Sequence, residues 1–207
     1  MSTPPEIKTN EGIVNLALHH LGNEPITSFD DQGKPGELAR NSYAIHRDVL
    51  IRAFTWNCFV HRVSLSAAAE SPLYQFANAY DMPSDWMRTL HVNGQAYDDW
   101  NVEGRTLVTN APSPIMMKYL RLTDVSTWDV MFKSCLAAKL AMYWSEPIVK
   151  SSTLTQAMTT LFVEELKQAI STDSIEKVGT VIIADDWLIA RATGSSVRLA
   201  TGVPQPY

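Results

Sequence analysis

Adjacent carboxylates are the residues of this chain whose chemistry could be catalytic. They occur as Asp30-Asp31, Asp98-Asp99, Glu164-Glu165 and Asp185-Asp186. A glycoside hydrolase needs two carboxyl groups that face a sugar at a controlled separation. Neighbouring side chains on a helix point about 100° apart, and Glu164-Glu165 lies where a solvated helix face is expected. These pairs therefore predict no active site, and a lytic enzyme is kept as the alternative interpretation.

The residue types that bind metals or act as nucleophiles form no known motif either. The histidines are His19, His20, His46, His61 and His91, and the cysteines are Cys58 and Cys135. No two histidines have the HExxH spacing of zinc proteases, and no CxxC pair is present. The chain also lacks the GxSxG, GxGxxG and P-loop patterns. We expect two core thiols, no catalytic residue, no metal and no cofactor.

The charge of the chain argues against a role in binding nucleic acid. Its formal net charge is -5, and Lys and Arg form no dense run, so the basic patch that binds phosphates is missing. A weakly acidic surface also gives DNA that passes close to it no gain from counterion release. No apolar run approaches the roughly 20 residues that span a bilayer, and the N-terminus lacks a signal pattern. We expect no membrane partner and synthesis in the cytoplasm.

Helical periodicity predicts two helices in the first part of the chain. The first is expected to begin at a capping Asn10 and to end before Gly22. The second covers residues 37–54, with Ile45 and Val49 among the side chains that face the core.

Alternating and turn-rich patterns then predict a β region. Strands are expected at residues 59–65, 86–92, 95–102, 105–108 and 115–122. Asn93 and Gly94 form the strongest hairpin signal and are expected to join two successive strands. Glu103 and Gly104 predict a second tight turn.

Helical periodicity returns after the β region. Ser126 or Thr127 can cap a helix that runs to about Ser145 and is broken by Pro147. Its apolar residues occupy more than one face, so we expect it to lie centrally among the other helices. A last helix is predicted over residues 152–170.

These elements predict an α+β fold that is mainly α. Residues 1–56 and 123–178 provide the four helices of a bundle, and residues 57–122 form a small antiparallel β insertion. Residues 179–207 hold little that could build a core of their own and are expected to form an extended C-terminal arm.

The tryptophans divide into two groups. Trp56, Trp128 and Trp144 are expected in the core. Trp187 lies in the arm, and we expect it to anchor in a partner, because tryptophan is frequent at buried interface anchors.

Several short motifs occur in a familiar order. They are LGNEPI at residues 21–26, RDVL at 47–50 followed by Trp56 and Asn57, YDMPSD at 80–85 and DDWLIAR at 185–191. In this order they resemble the head-to-tail adaptor family of short-tailed phages, whose members are also called tail tubular proteins. None of the motifs is catalytic.

The resemblance implies a structural, non-enzymatic subunit of the virion tail. Such subunits form a ring of about twelve copies around the DNA channel by contacts that repeat by rotation. The ring joins the portal protein to the tail nozzle, with tail fibres as a further partner, and a virion-associated peptidoglycan hydrolase is the alternative function. The portal-side candidates in the arm are Asp185, Asp186, Trp187, Leu188, Ile189, Arg191 and Tyr207. The nozzle-side candidates are Asn93, Gly94 and Trp100.

Overall fold

The computed structural model describes residues 7–94 and 99–176, and these contain four α-helices and six β-strands. The helices are α1 (Asn10–His20), α2 (Lys34–Ala53), α3 (Val130–Val149) and α4 (Ser152–Ile175). The strands are β1 (Val60–Leu65), β2 (Asn78–Asp81), β3 (Trp86–Val92), β4 (Trp100–Glu103), β5 (Thr106–Thr109) and β6 (Ile115–Arg121). The fold is therefore α+β, and all the described residues fall within the unit Met1–Glu176.

The strands form two antiparallel three-stranded sheets, ordered β1-β6-β3 and β2-β5-β4. Along β6, Met117 and Tyr119 belong to a core shared with the second sheet, whereas Leu120 belongs to the core shared with the helices. This follows from strand geometry, because successive side chains point to opposite faces. The first sheet thus contributes side chains to both cores.

The strand pairing differs from the predicted succession of hairpins. Asn93 and Gly94 do form a turn, with φ of 50° and 83°, but β3 pairs with β6 and not with the strand that follows it. The Asn93 amide donates to the Met116 carbonyl at 2.8 Å, so the end of β3 is also held against β6. Only the second tight turn joins neighbours as expected, since Glu103 on β4 faces Thr106 on β5.

The helix caps differ from the predicted residues by a few positions. Thr9 caps α1, because its Oγ1 accepts the Gly12 amide at 3.1 Å. Asn10 lies one residue inside the helix, and its Oδ1 accepts the Tyr43 hydroxyl at 2.7 Å. Asp129 caps α3 by accepting the Met131 amide at 2.8 Å.

The residues predicted to cap α3 have another role. Ser126 and Thr127 belong to a 3-10 turn that Asp124 caps. At its other end, α3 continues through Pro147 to Val149, so the prediction that this proline breaks the helix is wrong. Proline removes one intrahelical hydrogen bond, but here the helix ends within its next turn.

The prediction that α3 lies centrally is confirmed. It packs against α1, α2 and α4, and its buried residues cover most of its circumference. Trp56, Trp128 and Trp144 all lie in the core, as expected. The tryptophan rings around Phe132 pack edge-on, with centroids of Trp56 and Trp128 at 5.1 and 5.4 Å from that of Phe132.

The last helix is longer than predicted because its end is tied to another element. The Asn57 amide donates to Asp173 Oδ1 at 2.7 Å, and the Asn57 side chain donates to the Asp173 carbonyl at 2.8 Å. These bonds join the end of α4 to the junction between α2 and β1.

Candidate protein interface

The predicted portal-side residues cannot be assigned a geometry. They are Asp185, Asp186, Trp187, Leu188, Ile189, Arg191 and Tyr207, and they lie outside the described residues.

Two of the predicted nozzle-side residues form an exposed turn at the end of β3. Asn93 and Gly94 are both exposed, and both have positive φ, which glycine adopts freely and asparagine tolerates better than most residues. Asn93 Oδ1 accepts the Met116 amide at 2.8 Å, so the turn is fixed to the adjacent strand. Met116 is exposed beside it. Asn93 therefore ties the start of the turn to β6.

The third predicted residue, Trp100, belongs to β4 and not to this turn. Its half-buried ring packs on the core between the two sheets. Its indole nitrogen is buried and has no hydrogen-bond acceptor among the described residues. A buried polar group without a partner is costly, and this nitrogen itself exposes less than 1 Å² to solvent.

Trp100 lines a cleft of about 560 Å³. The other lining residues are Thr55, Arg88, Thr89, Leu90, His91 and Asn101. They come from the chain after α2 and from β3 and β4, each of which lies at the edge of its sheet. The register of β3 shifts between Thr89 and His91, and such a bulge allows consecutive side chains to line one surface.

The described residues that line the cleft carry positive charge without a matching carboxylate. The Arg88 guanidinium donates to the Arg52 carbonyl and to Thr55 Oγ1. The Arg52 guanidinium in turn donates to the Met87 carbonyl and lies over the Trp86 ring, 5.8 Å from its centroid. Among the described residues no Asp or Glu lines the cleft or forms an ion pair with either arginine.

His91 adds a second kind of polar group to the cleft. Burial lowers its pKa, and the Lys118 ammonium on the neighbouring β6 lowers it further. His91 is therefore neutral near pH 7 and can donate one hydrogen bond through one ring nitrogen and accept one through the other.

A second candidate surface lies on the helices. The helical periodicity of α2 did not predict it. Ile45 and Val49 were predicted to face the core, but they are 62% and 53% exposed. The ring of His46, which lies between them in sequence, stacks on Tyr143 of α3 with centroids 4.2 Å apart. Tyr143 is itself 52% exposed. We call Ile45, Val49 and Tyr143 the α2–α3 face.

The signal that could have revealed this face is the width of the apolar stripe on α2. Tyr43 and Leu50 are buried on one side of the helix, while Ile45 and Val49 are apolar on another. A helix that serves one core needs a narrower stripe. An apolar residue outside that stripe indicates a second contact surface.

Of the paired carboxylates, Asp30-Asp31 lie in the loop before α2 and Glu164-Glu165 lie on α4, whereas Asp98, Asp185 and Asp186 lie outside the described residues. Asp31 accepts the Thr27 amide at 2.6 Å, and hydrogen bonds from Thr27 lower the pKa of its carboxyl. This carboxylate therefore stabilises the loop that contains it. Glu164 is exposed on α4 and Glu165 is half-buried. No group of three or more potential metal ligands occurs within residues 7–94 and 99–176.

The two cysteines are free and lie in or against the helical core. Burial raises the pKa of Cys135 to about 12 and that of Cys58 to about 11. Both therefore remain thiols at neutral pH, as expected of core residues. In the part of the chain that the structure describes, no helix has the length and apolar character needed to cross a membrane.

No family model matches the chain, and no curated protein matches it.

Proposed function

We propose that this chain is a structural adaptor subunit of a short-tailed phage tail, which assembles as a ring between the portal protein and the tail nozzle. The α2–α3 face is the structural observation that supports the proposal. The proposal names this family because the motifs at residues 21–26, 47–50, 80–85 and 185–191 resemble it in their order.

The α2–α3 face has the properties of a contact between subunits. Ile45 and Val49 are one helical turn apart, and Tyr143 is fixed beside them through its stacking on His46. Exposed apolar side chains grouped on packed helices are typical of interaction sites, and aromatic residues are enriched at the centres of interfaces. Removing such surface from water is favourable by about 25 cal/mol per Å².

The remaining parts of the chain suggest a division of contacts within the ring. The helices form a bundle that packs side by side with its neighbours through the α2–α3 face. The β insertion, with Asn93, Gly94 and Trp100, reaches the nozzle, and the C-terminal arm, residues 179–207, docks on the portal. About twelve copies would close the ring by one repeated rotation.

The charge of the chain agrees with a passage for DNA. The net charge is -5, and Lys and Arg form no dense run. The chain therefore offers the passing genome no basic surface to bind. The subunit therefore acts in the virion tail as a scaffold without catalytic residues, and tail fibres are a further partner of its outer surface.

Substitutions in the α2–α3 face test the proposal. Val49→Glu places a charge in the proposed contact without disturbing a buried residue, and Val130→Glu is a matched control because Val130 is exposed at the start of α3. Sedimentation velocity and electron microscopy, with and without portal rings, should show rings for the unaltered chain and the control. Val49→Glu should remain monomeric. A chain that never forms rings, even with portal present, would disprove the adaptor function.

A further inference from the structure

We propose that the cleft between β3 and β4 binds a short acidic peptide segment of a partner protein, whose Asp or Glu carboxylate pairs with Arg88. The site itself is argued from the cleft alone. Only the identity of the partner, the next tail component, rests on the proposed function.

The polar groups of the cleft favour an acceptor-rich ligand. Arg88 and Asn101, which line the cleft, both carry N–H donors. Arg88 uses part of its guanidinium to bind the Arg52 carbonyl and Thr55, and a guanidinium has five N–H donors in total. A carboxylate accepts several hydrogen bonds and carries the opposite charge, so it complements this surface better than a neutral group does.

Trp100 is one of the residues that line the cleft, so its indole can report on a bound segment. Its N–H is buried and donates to no atom among the described residues. The nitrogen exposes less than 1 Å² to solvent, so a bound segment would affect this group through the ring and not by accepting its hydrogen. The other indoles that the structure describes, those of Trp56, Trp86, Trp128 and Trp144, donate within the chain, as in the bond of 3.0 Å from Trp86 Nε1 to Thr89 Oγ1.

The position of the cleft favours a peptide over a free small molecule. Both β3 and β4 are edge strands, so each has one side without a strand partner among the described residues. Peptide segments commonly bind along such edges. The register shifts of β3 interrupt the regular spacing of its backbone groups, so we expect a short segment recognised mainly through side chains.

The binding test uses the full-length chain labelled with ¹⁵N. The probe is a blocked pentapeptide, acetyl-Gly-Val-Asp-Val-Gly-amide, and its Asn analogue is the control. The indole N–H signal of Trp100, assigned by its loss in Trp100→Phe, should shift and saturate with the Asp peptide. The Asn analogue should bind at least about tenfold more weakly, because a charge-assisted hydrogen bond is lost.

Two arginine variants localise the carboxylate. Arg88→Gln should weaken binding of the Asp peptide about tenfold, whereas Arg62→Gln, an equal change of charge at an exposed site on β1, should not. Equal binding of the two peptides, equal binding of acetate alone, or an unmoved Trp100 signal would each overturn the proposal.

The peptide comparison needs no variant to fold, and it does not require ring assembly. Peptide binding by a chain that forms no ring would therefore contradict only the adaptor function.

Discussion

His46 of α2 and Tyr143 of α3 stack with their rings inclined by 27° and their centroids 4.2 Å apart. The Lys139 ammonium, one helical turn before Tyr143, donates to the His46 carbonyl at 3.2 Å. These two contacts join α2 to α3 on the side where Ile45 and Val49 are exposed. The apolar face is therefore presented by two helices that are fixed to each other.

The stability of the fold should depend on the protonation of His46. Burial lowers the pKa of this side chain, and the nearby Lys139 lowers it further. The unfolded chain, with a pKa near 6.5, then binds more protons than the folded chain. Stability should fall as the pH drops below that value towards the folded pKa, and should be unaffected by this group above it.

Replacing the imidazole tests that dependence. His46→Phe keeps a ring against Tyr143 but cannot be protonated, so the loss of stability on acidification should become smaller. Urea unfolding at about pH 7.5 and about pH 5, measured for both chains, provides the comparison. Burial also lowers the pKa values of His20 and His91, so part of the dependence should remain. An identical loss in both chains would contradict the role of His46.

Trp144 should contribute more to stability than any exposed residue of α3. Its side chain is 1% exposed, and its Nε1 donates to Ser42 Oγ at 2.9 Å. Trp144→Ala should lower the free energy of unfolding by about 3–5 kcal/mol because it leaves a large cavity. Ser42→Ala removes this acceptor, together with the bond that the Ser42 hydroxyl donates to the Leu38 carbonyl, and should cost about 1–3 kcal/mol. Chemical denaturation measures both, and equal losses would show that the cavity is not the main term.

The start of α3 provides a test of its cap. Asp129 accepts the Met131 amide, and Asp129→Ala should lower the free energy of unfolding by about 1 kcal/mol. Thr127→Ala is the matched control, since Thr127 lies in the preceding 3-10 turn and caps no α-helix. A larger loss for Thr127→Ala would place the start of the helix earlier in the chain.

The end of α3 should be stabilised by a glycine. Lys150 adopts the left-handed conformation with φ of 55°, and its amide donates to the carbonyls of Ser145 and Glu146. Glycine adopts this conformation without the strain of a Cβ atom, so Lys150→Gly should raise stability by about 1 kcal/mol. Lys150→Ala removes the same charge but keeps the Cβ atom and should give no such gain. Thermal unfolding of the two variants separates charge from backbone strain.

Deletion of residues 179–207 should leave the described fold intact. The described residues of both cores all precede this segment, and Ala169 is the last buried residue among them. Cooperative thermal unfolding should therefore persist in the truncated chain, while assembly with portal rings should weaken. Loss of cooperative unfolding would mean that the arm belongs to the core.

The type and order of most elements could be predicted because the apolar pattern of each segment is local, whereas β2, Asn78–Asp81, was not predicted as a strand. The limits of β3, residues 86–92, agree with the alternation in the sequence. The apolar residues on several faces of α3 correctly indicated its central place. A property that depends on a few neighbouring residues is therefore accessible from the sequence.

Features that depend on distant residues were not accessible. The pairing of β3 with β6 depends on which buried rows of side chains meet in the folded chain, and a hairpin signal at Asn93 and Gly94 carries no information about β6. Likewise, the exposure of Ile45 depends on where α3 lies against α2. The cleft combines Thr55 with parts of two separate strands, so no local motif predicts it.

The central place of α3 also has a consequence during synthesis. The ribosome makes α1 and the whole β region before α3 emerges, yet α1 packs chiefly on α3. Ile13 and Leu18, both buried in the finished fold, therefore lack their main packing partner while the chain is incomplete. Such transient apolar surface favours misassociation between nascent chains. The most aggregation-prone form of this protein is thus expected to be a half-made chain, which a ribosome-bound chaperone would protect.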